Sequence, residues 1–129
     1  MTGFENYGRN LGIAFQIIDD VLDIVGAPED VGKTLGTDLI NQKPTLPVIH
    51  CLEQSDAESK AAIVNVLTSS DSTSSDLLML LKQTNSIEYS REMAQSHALA
   101  ATEFAETLPP SDYAKSLSML ARFVLARTN

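Results

Sequence analysis

One cysteine and no tryptophan occur in the 129 residues, and acidic side chains outnumber basic ones by 17 to 9. The lone thiol, Cys51, excludes an intrachain disulfide, and zinc ligation with neighbouring His50 would need further ligands that the sequence does not supply at recognisable spacing. Cys51 is therefore expected to be a buried bystander. A formal charge of -8 argues against general electrostatic attraction to nucleic acid or anionic lipid, although local basic residues remain able to hold a phosphate. No apolar run reaches the length needed to cross a bilayer. The opening residues, "MTGFENYGRN", lack the basic start and hydrophobic stretch of a signal peptide, so a cytoplasmic protein is expected. The length suits one hydrophobic core, hence one domain or part of one.

What is present is helical periodicity. Apolar residues at 11, 14, 18, 21, 22 and 25 predict a helix over about residues 5–25, stopped by Gly26 and Pro28. A glycine-punctuated connection, residues 26–43, leads to "TLPVIHCLEQ", a short helix with Thr45 near its N-cap and Pro47 in the first turn. Ser55 with Glu58 has the pattern of a capping box for a helix ending near Leu67, and "TSSDSTSSD" reads as a polar loop. A short apolar helix, "LLMLLKQ", follows. Asn85 with Glu88 repeats the capping pattern before a long helix from Ser86 to about Leu108, closed by Pro109 and Pro110. The last helix, about Asp112 to Arg127, carries Tyr113, Leu117, Leu120 and Val124 as its expected inward stripe. Met79, Met93 and Met119 read as core fillers, and His50 and His97 as structural or exposed residues rather than catalytic ones. With no strand alternation anywhere, the expected class is all-α.

The first helix contains "FQIIDDVLD". At about 100° per residue, Gln16, Asp19, Asp20 and Asp23 share one sector, with Gly12 a turn earlier. Leu11, Ala14, Ile18, Leu22 and Val25 stand on one side of it, and Ile13, Ile17 and Ile24 on the other, as expected of a helix lining a polar cavity. Like charges one turn apart repel unless a cation intervenes. Mg²⁺ suits them, because it takes oxygen ligands and sits between one or two carboxylates and a substrate phosphate, whereas zinc favours His or Cys; the alternative is an acidic stripe facing solvent. Downstream, "GKTLGTD" and "QKPTLP" add Lys33, Asp38 and Lys43. Lys33 beside glycines is suited to approach a phosphate, or to stand as an ordinary exposed loop lysine. Asp38 is placed to orient Lys33 or a metal-bound water, or to cap the turn, and Lys43 to bind phosphate or lie on the surface.

"YGRNLGIAFQIIDDVLD" and "GKTLGTDLINQKPTLPVIH" together resemble the trans-type polyprenyl diphosphate synthases, the octaprenyl and solanesyl group in particular, and the alanine-rich helix and terminal helix from Tyr89 to Arg127 resemble that family's tail. The resemblance implies the C-terminal helices of the isoprenoid synthase fold, with residues 1–129 forming the C-terminal part of a synthase domain. It implies that Asp19, Asp20 and Asp23 are the second aspartate-rich motif, binding Mg²⁺ shared with an allylic diphosphate. Gln16 would lie near the reacting head of that substrate and Phe15 would border its pocket. Lys33 would bind the diphosphate, with Asp38 and Lys43 at the rim; by the same resemblance Asp19, Asp20 and Lys33 would carry the catalytic role. Gln42 departs from the family's glycine, and a glycine at positive φ would make Gln42 strained.

The family's first aspartate-rich motif and its basic residues for isopentenyl diphosphate do not occur in these residues. The expected parent is a homodimeric enzyme that adds isopentenyl diphosphate to an allylic diphosphate, with no nucleic-acid partner. The 129 residues alone are expected to be inactive. The alternative is a non-catalytic subunit or scaffold of a prenyl synthase complex.

Overall fold

The computed structural model describes residues 2–25, 45–68 and 74–128. Among these residues there are six helices and no strand: α1 (Gly3–Val25), α2 (Leu46–Glu53), α3 (Ala57–Thr68), α4 (Ser74–Gln83), α5 (Ser86–Glu106) and α6 (Asp112–Ala126). The all-α expectation holds, and the helix positions agree with the periodicity to within a few residues.

Their ends show which side chains set the boundaries. Thr2 accepts the Glu5 backbone N–H at 3.2 Å, so a Thr-x-x-Glu start that the periodicity did not reveal opens α1 earlier than expected. Thr45 occupies the N-cap of α2 as expected, but its hydroxyl makes no capping bond. The expected Ser55–Glu58 box is replaced by Asp56, whose Oδ1 accepts the Ser59 N–H at 2.7 Å. Ser55 instead donates to the Cys51 carbonyl at 2.6 Å, closing the end of α2. Asn85 sits at φ 55°, in the left-handed region that asparagine tolerates, and so turns the chain after α4 rather than serving as an ordinary extended N-cap. α5 ends at Glu106, two residues short of Leu108, and Ser111 then caps α6 by accepting the Ala114 N–H at 3.0 Å.

Two compact units form. The first comprises Met1–Asp19 and Arg91–Asn129. Its cluster is Tyr7, Ala101, Ala105 and Ala121, with Leu11, Phe104 and Leu117 packed against it. Alanines on α5 and α6 lack bulk, which lets the large Tyr7 and Phe104 rings fill the remaining space. Phe104 packs edge-on against Phe4 at 5.3 Å between centroids, and a Cβ at Gly3 would run into the Phe104 ring. Polar ties also join these helices: Tyr7 donates to the Leu117 carbonyl at 2.7 Å, and His97 Nδ1 lies 2.8 Å from Asn10 Oδ1.

The second unit comprises Asp20–Ser90. Ile24, Val48, Cys51, Ile63, Leu77 and Leu81 form its core. Cys51 is buried and free, as expected, and its thiol points at the Leu80 carbonyl at 3.7 Å. His50 is structural: Nδ1 lies 2.8 Å from Ser86 Oγ, and its ring stacks on Tyr89 at 4.0 Å. Ser86 Oγ in turn meets Thr84 Oγ1 at 2.5 Å, so this buried hydroxyl has partners on both sides.

Two expectations about burial are corrected. On α6 the inward face is Leu117, Ala121 and Val124, while Tyr113 is 85% exposed and Leu120 is 49% exposed. Ala121 takes the place that hydrophobicity assigned to Leu120, because the α5 contact is made of small residues. Met79 and Met119 are exposed rather than core fillers, and Met93 is only half-buried.

Candidate functional site

α1 presents two contrasting sides. Tyr7, Ala14, Ile17, Ile18, Val21 and Ile24 are buried and, at about 100° per residue, fall on one side of the helix. Gly12, Phe15, Gln16, Asp19, Leu22 and Asp23 are exposed and fall on the other, with Asp20 at its margin and half-buried. Of the two expected apolar flanks, one is buried at Ile17 and Ile24, and the other is buried at Ala14 and Ile18 but exposed at Leu22 and Val25.

The exposed side is divided lengthwise. Phe4, Phe15 and Leu22, with the half-buried Leu11, recur at spacings of seven, four and seven, and so make an apolar lane along the helix. Gly12, Gln16, Asp19 and Asp23, each separated from the next by three or four positions, make a polar lane beside it. A Cβ added at Gly12 would meet nothing within 4 Å. A glycine inside a helix costs about 1 kcal/mol relative to alanine, and here no packing among the described residues requires it. What it provides is room for another group to approach the backbone at the head of the polar lane.

Asp19 and Asp23 stand one turn apart on that lane. Among the described residues the one ion pair is Arg122–Glu106 at 2.6 Å, so no described lysine or arginine neutralises them. No group of three His, Cys, Asp or Glu side chains among the described residues converges into a metal cage. The donor set is nevertheless of the right chemistry for a hard cation, since Mg²⁺ characteristically uses one or two carboxylates and completes its shell with water and phosphate oxygens. Lys33, Asp38, Gln42 and Lys43 lie outside the described residues.

A side chain for which no contact was expected also belongs to this surface. The Arg127 guanidinium, just beyond α6, lies 5.6 Å from the centroid of the Phe15 ring. The two residues are far apart in sequence and no motif links them.

A cavity of about 390 Å³ in the second unit is a weaker candidate site. Ser55, Asp56 and Thr84 on its wall already have hydrogen-bond partners within the chain, which leaves few polar groups to receive a ligand.

Residues 1–84 match the polyprenyl synthetase family model. The short-chain isoprenyl diphosphate synthase of Methanothermobacter thermautotrophicus is 35% identical over 98% of this chain and 39% of its own length. The octaprenyl diphosphate synthase of Haemophilus influenzae is 34% identical over 91% of this chain and 36% of its own length. Among solved structures, the geranylgeranyl pyrophosphate synthetase of Pyrococcus horikoshii superposes with a TM-score of 0.75 at 35% identity, covering 95% of this chain and 38% of that one. This chain therefore spans less than two-fifths of the length of these relatives. They differ in product size, so similarity across these helices does not select a product length.

Proposed function

Because the chain belongs to the polyprenyl synthetase family, we propose that the complete enzyme containing it condenses isopentenyl diphosphate with an allylic diphosphate, and that these residues supply one wall of the allylic site. The observation that carries this reading is the pairing of lanes on α1. A prenyl diphosphate has an apolar chain and an anionic head, and the apolar lane through Phe15 and Leu22 runs beside the polar lane through Gln16, Asp19 and Asp23.

Asp19 and Asp23, with Asp20 at the edge, would hold Mg²⁺, which supplies positive charge to a departing diphosphate. Gln16 would stand beside the reacting end of the substrate and Phe15 beside its hydrocarbon. Lys33 would add a point charge for the diphosphate, with Asp38 and Lys43 at the rim, so that positive charge is fixed where negative charge develops. None of these side chains acts as a nucleophile.

The remaining three-fifths of the relatives' length would supply the isopentenyl site and the opposing metal ligands, so the 129-residue chain alone would not turn over. The complete enzyme would be a cytoplasmic homodimer. The test is product formation from radiolabelled isopentenyl diphosphate and an allylic diphosphate, by the complete enzyme and by this chain, with and without Mg²⁺. Metal-dependent polyprenyl product from the complete enzyme only is expected. No product from the complete enzyme overturns the reaction, while product from the isolated chain overturns its incompleteness.

A further inference from the structure

The end of α6 is fixed in place. Arg127 caps the helix with φ -77° and ψ -10°, its backbone N–H directed at the Val124 and Leu125 carbonyls. Thr128 beyond it is 4% exposed and donates its hydroxyl to the Leu125 carbonyl at 2.7 Å. From this anchored end the Arg127 side chain reaches over Phe15, with its guanidinium carbon 5.6 Å from the ring centroid. That is within the range at which a cation is attracted by the electron-rich face of an aromatic ring.

The destination of the charge is informative. Arg127 makes no ion pair with any described carboxylate, although Asp19 lies one turn beyond Phe15 on α1. Its planar cation is instead spent on the ring, on the apolar lane. Phe15 remains 47% exposed, so it has little packing of its own to hold its side chain in one rotamer. A cation resting on the ring supplies that constraint.

We propose that Arg127 is a positioning residue for the prenyl-transfer site: its guanidinium holds the Phe15 ring in the orientation that borders the hydrocarbon of the allylic substrate. This inference rests on the reading of α1 as the allylic wall. Arg127 acts through Phe15, and its effect is on the grip on the allylic chain rather than on the isopentenyl substrate or the ionisation step.

The experiment is a double-substitution cycle in the complete enzyme, using Arg127→Met, Arg127→Lys, Phe15→Leu and the Phe15→Leu/Arg127→Met pair. KM and kcat are measured for farnesyl diphosphate and for isopentenyl diphosphate, with thermal midpoints alongside. Arg127→Met is expected to raise KM for farnesyl diphosphate about two- to fivefold, the equivalent of one exposed cation–ring contact, with kcat and KM for isopentenyl diphosphate little changed. Arg127→Lys should restore most of the loss. In the Phe15→Leu background, Arg127→Met should have no further effect on KM. A full Arg127 effect surviving in that background would show that the guanidinium meets the substrate directly and would overturn the proposal. An unchanged KM in Arg127→Met, or a fall in kcat and thermal midpoint without a change in KM, would overturn it equally. A wild-type enzyme inactive on all allylic diphosphates overturns the reaction reading itself and this inference with it, a result distinct from an active enzyme in which the two substitutions act independently.

Discussion

The Tyr7 hydroxyl donates a 2.7 Å hydrogen bond to the Leu117 carbonyl, so a side chain near the start of α1 is tied to the backbone of α6. The ring is 6% exposed, and burial raises the pKa of its hydroxyl above the usual 10.0. Tyr7→Phe should cost about 0.5–1.5 kcal/mol in urea unfolding at neutral pH. A raised folded pKa means that the folded state holds the proton longer than the unfolded chain. The associated stability is complete below the ordinary tyrosine value and is lost as pH rises through the higher folded value. Tyr7→Phe should therefore flatten part of the alkaline decline, and unfolding midpoints from neutral to strongly alkaline pH check it.

Asp56 gives the opposite dependence. The Ser59 backbone N–H, and then the Ser59 side chain, hold its carboxyl below the usual 3.8. Its contribution is present above the ordinary value and disappears as pH falls through the lower folded value. Asp56→Ala should lower the thermal midpoint at neutral pH, with the difference from wild type shrinking under strong acid. Ser55→Ala should leave that acid dependence in place, since Ser55 closes α2 rather than opening α3.

On α6, Ala121→Leu should destabilise by about 1–3 kcal/mol, because the added atoms must fit against Ala101 and Ala105. Leu120→Ala, one position away, should change stability by no more than about 0.5 kcal/mol. Equal costs in denaturant titrations would contradict the inward face described for this helix.

In the complete enzyme, Asp19→Asn should reduce Mg²⁺-dependent turnover by about 10²-fold or more while circular dichroism remains helical. Lys33→Ala should act chiefly on the diphosphate, raising the allylic concentration needed for turnover. Rate against Mg²⁺ and allylic concentration separates the two; wild-type rates in both variants would return the acidic lane to an ordinary solvated face.

The sequence made the helices legible because each carries apolar residues at helical spacing over two or more turns. It also brought Gln16, Asp19, Asp20 and Asp23 to one sector of α1, since local helix geometry alone decides that, whereas Phe15 was implied only by the family resemblance. Orientation was harder on α6, where apolar residues occupy both faces and the buried one is marked by Ala121 rather than by the larger Leu120 or Tyr113. The capping-box pattern placed the cap of α3 one residue early, at Ser55 rather than Asp56, because serine and aspartate side chains can both accept a backbone N–H. The Arg127–Phe15 contact depends on tertiary packing and has no local signature.

The inner side of α5 is lined by Ser90, Ala94, Ala98, Ala101, Thr102 and Ala105, all buried. Its hydroxyls are satisfied within the helix, Ser90 by the Ser86 carbonyl at 2.8 Å and Thr102 by the Ala98 carbonyl at 2.9 Å. Exchange among alanine, serine and threonine there would strand no outside partner, whereas any larger residue would force neighbours apart. Sequence drift along α5 is thereby given a ceiling on volume but considerable freedom in polarity, so homologous helices should diverge chemically at these positions while keeping the same narrow profile.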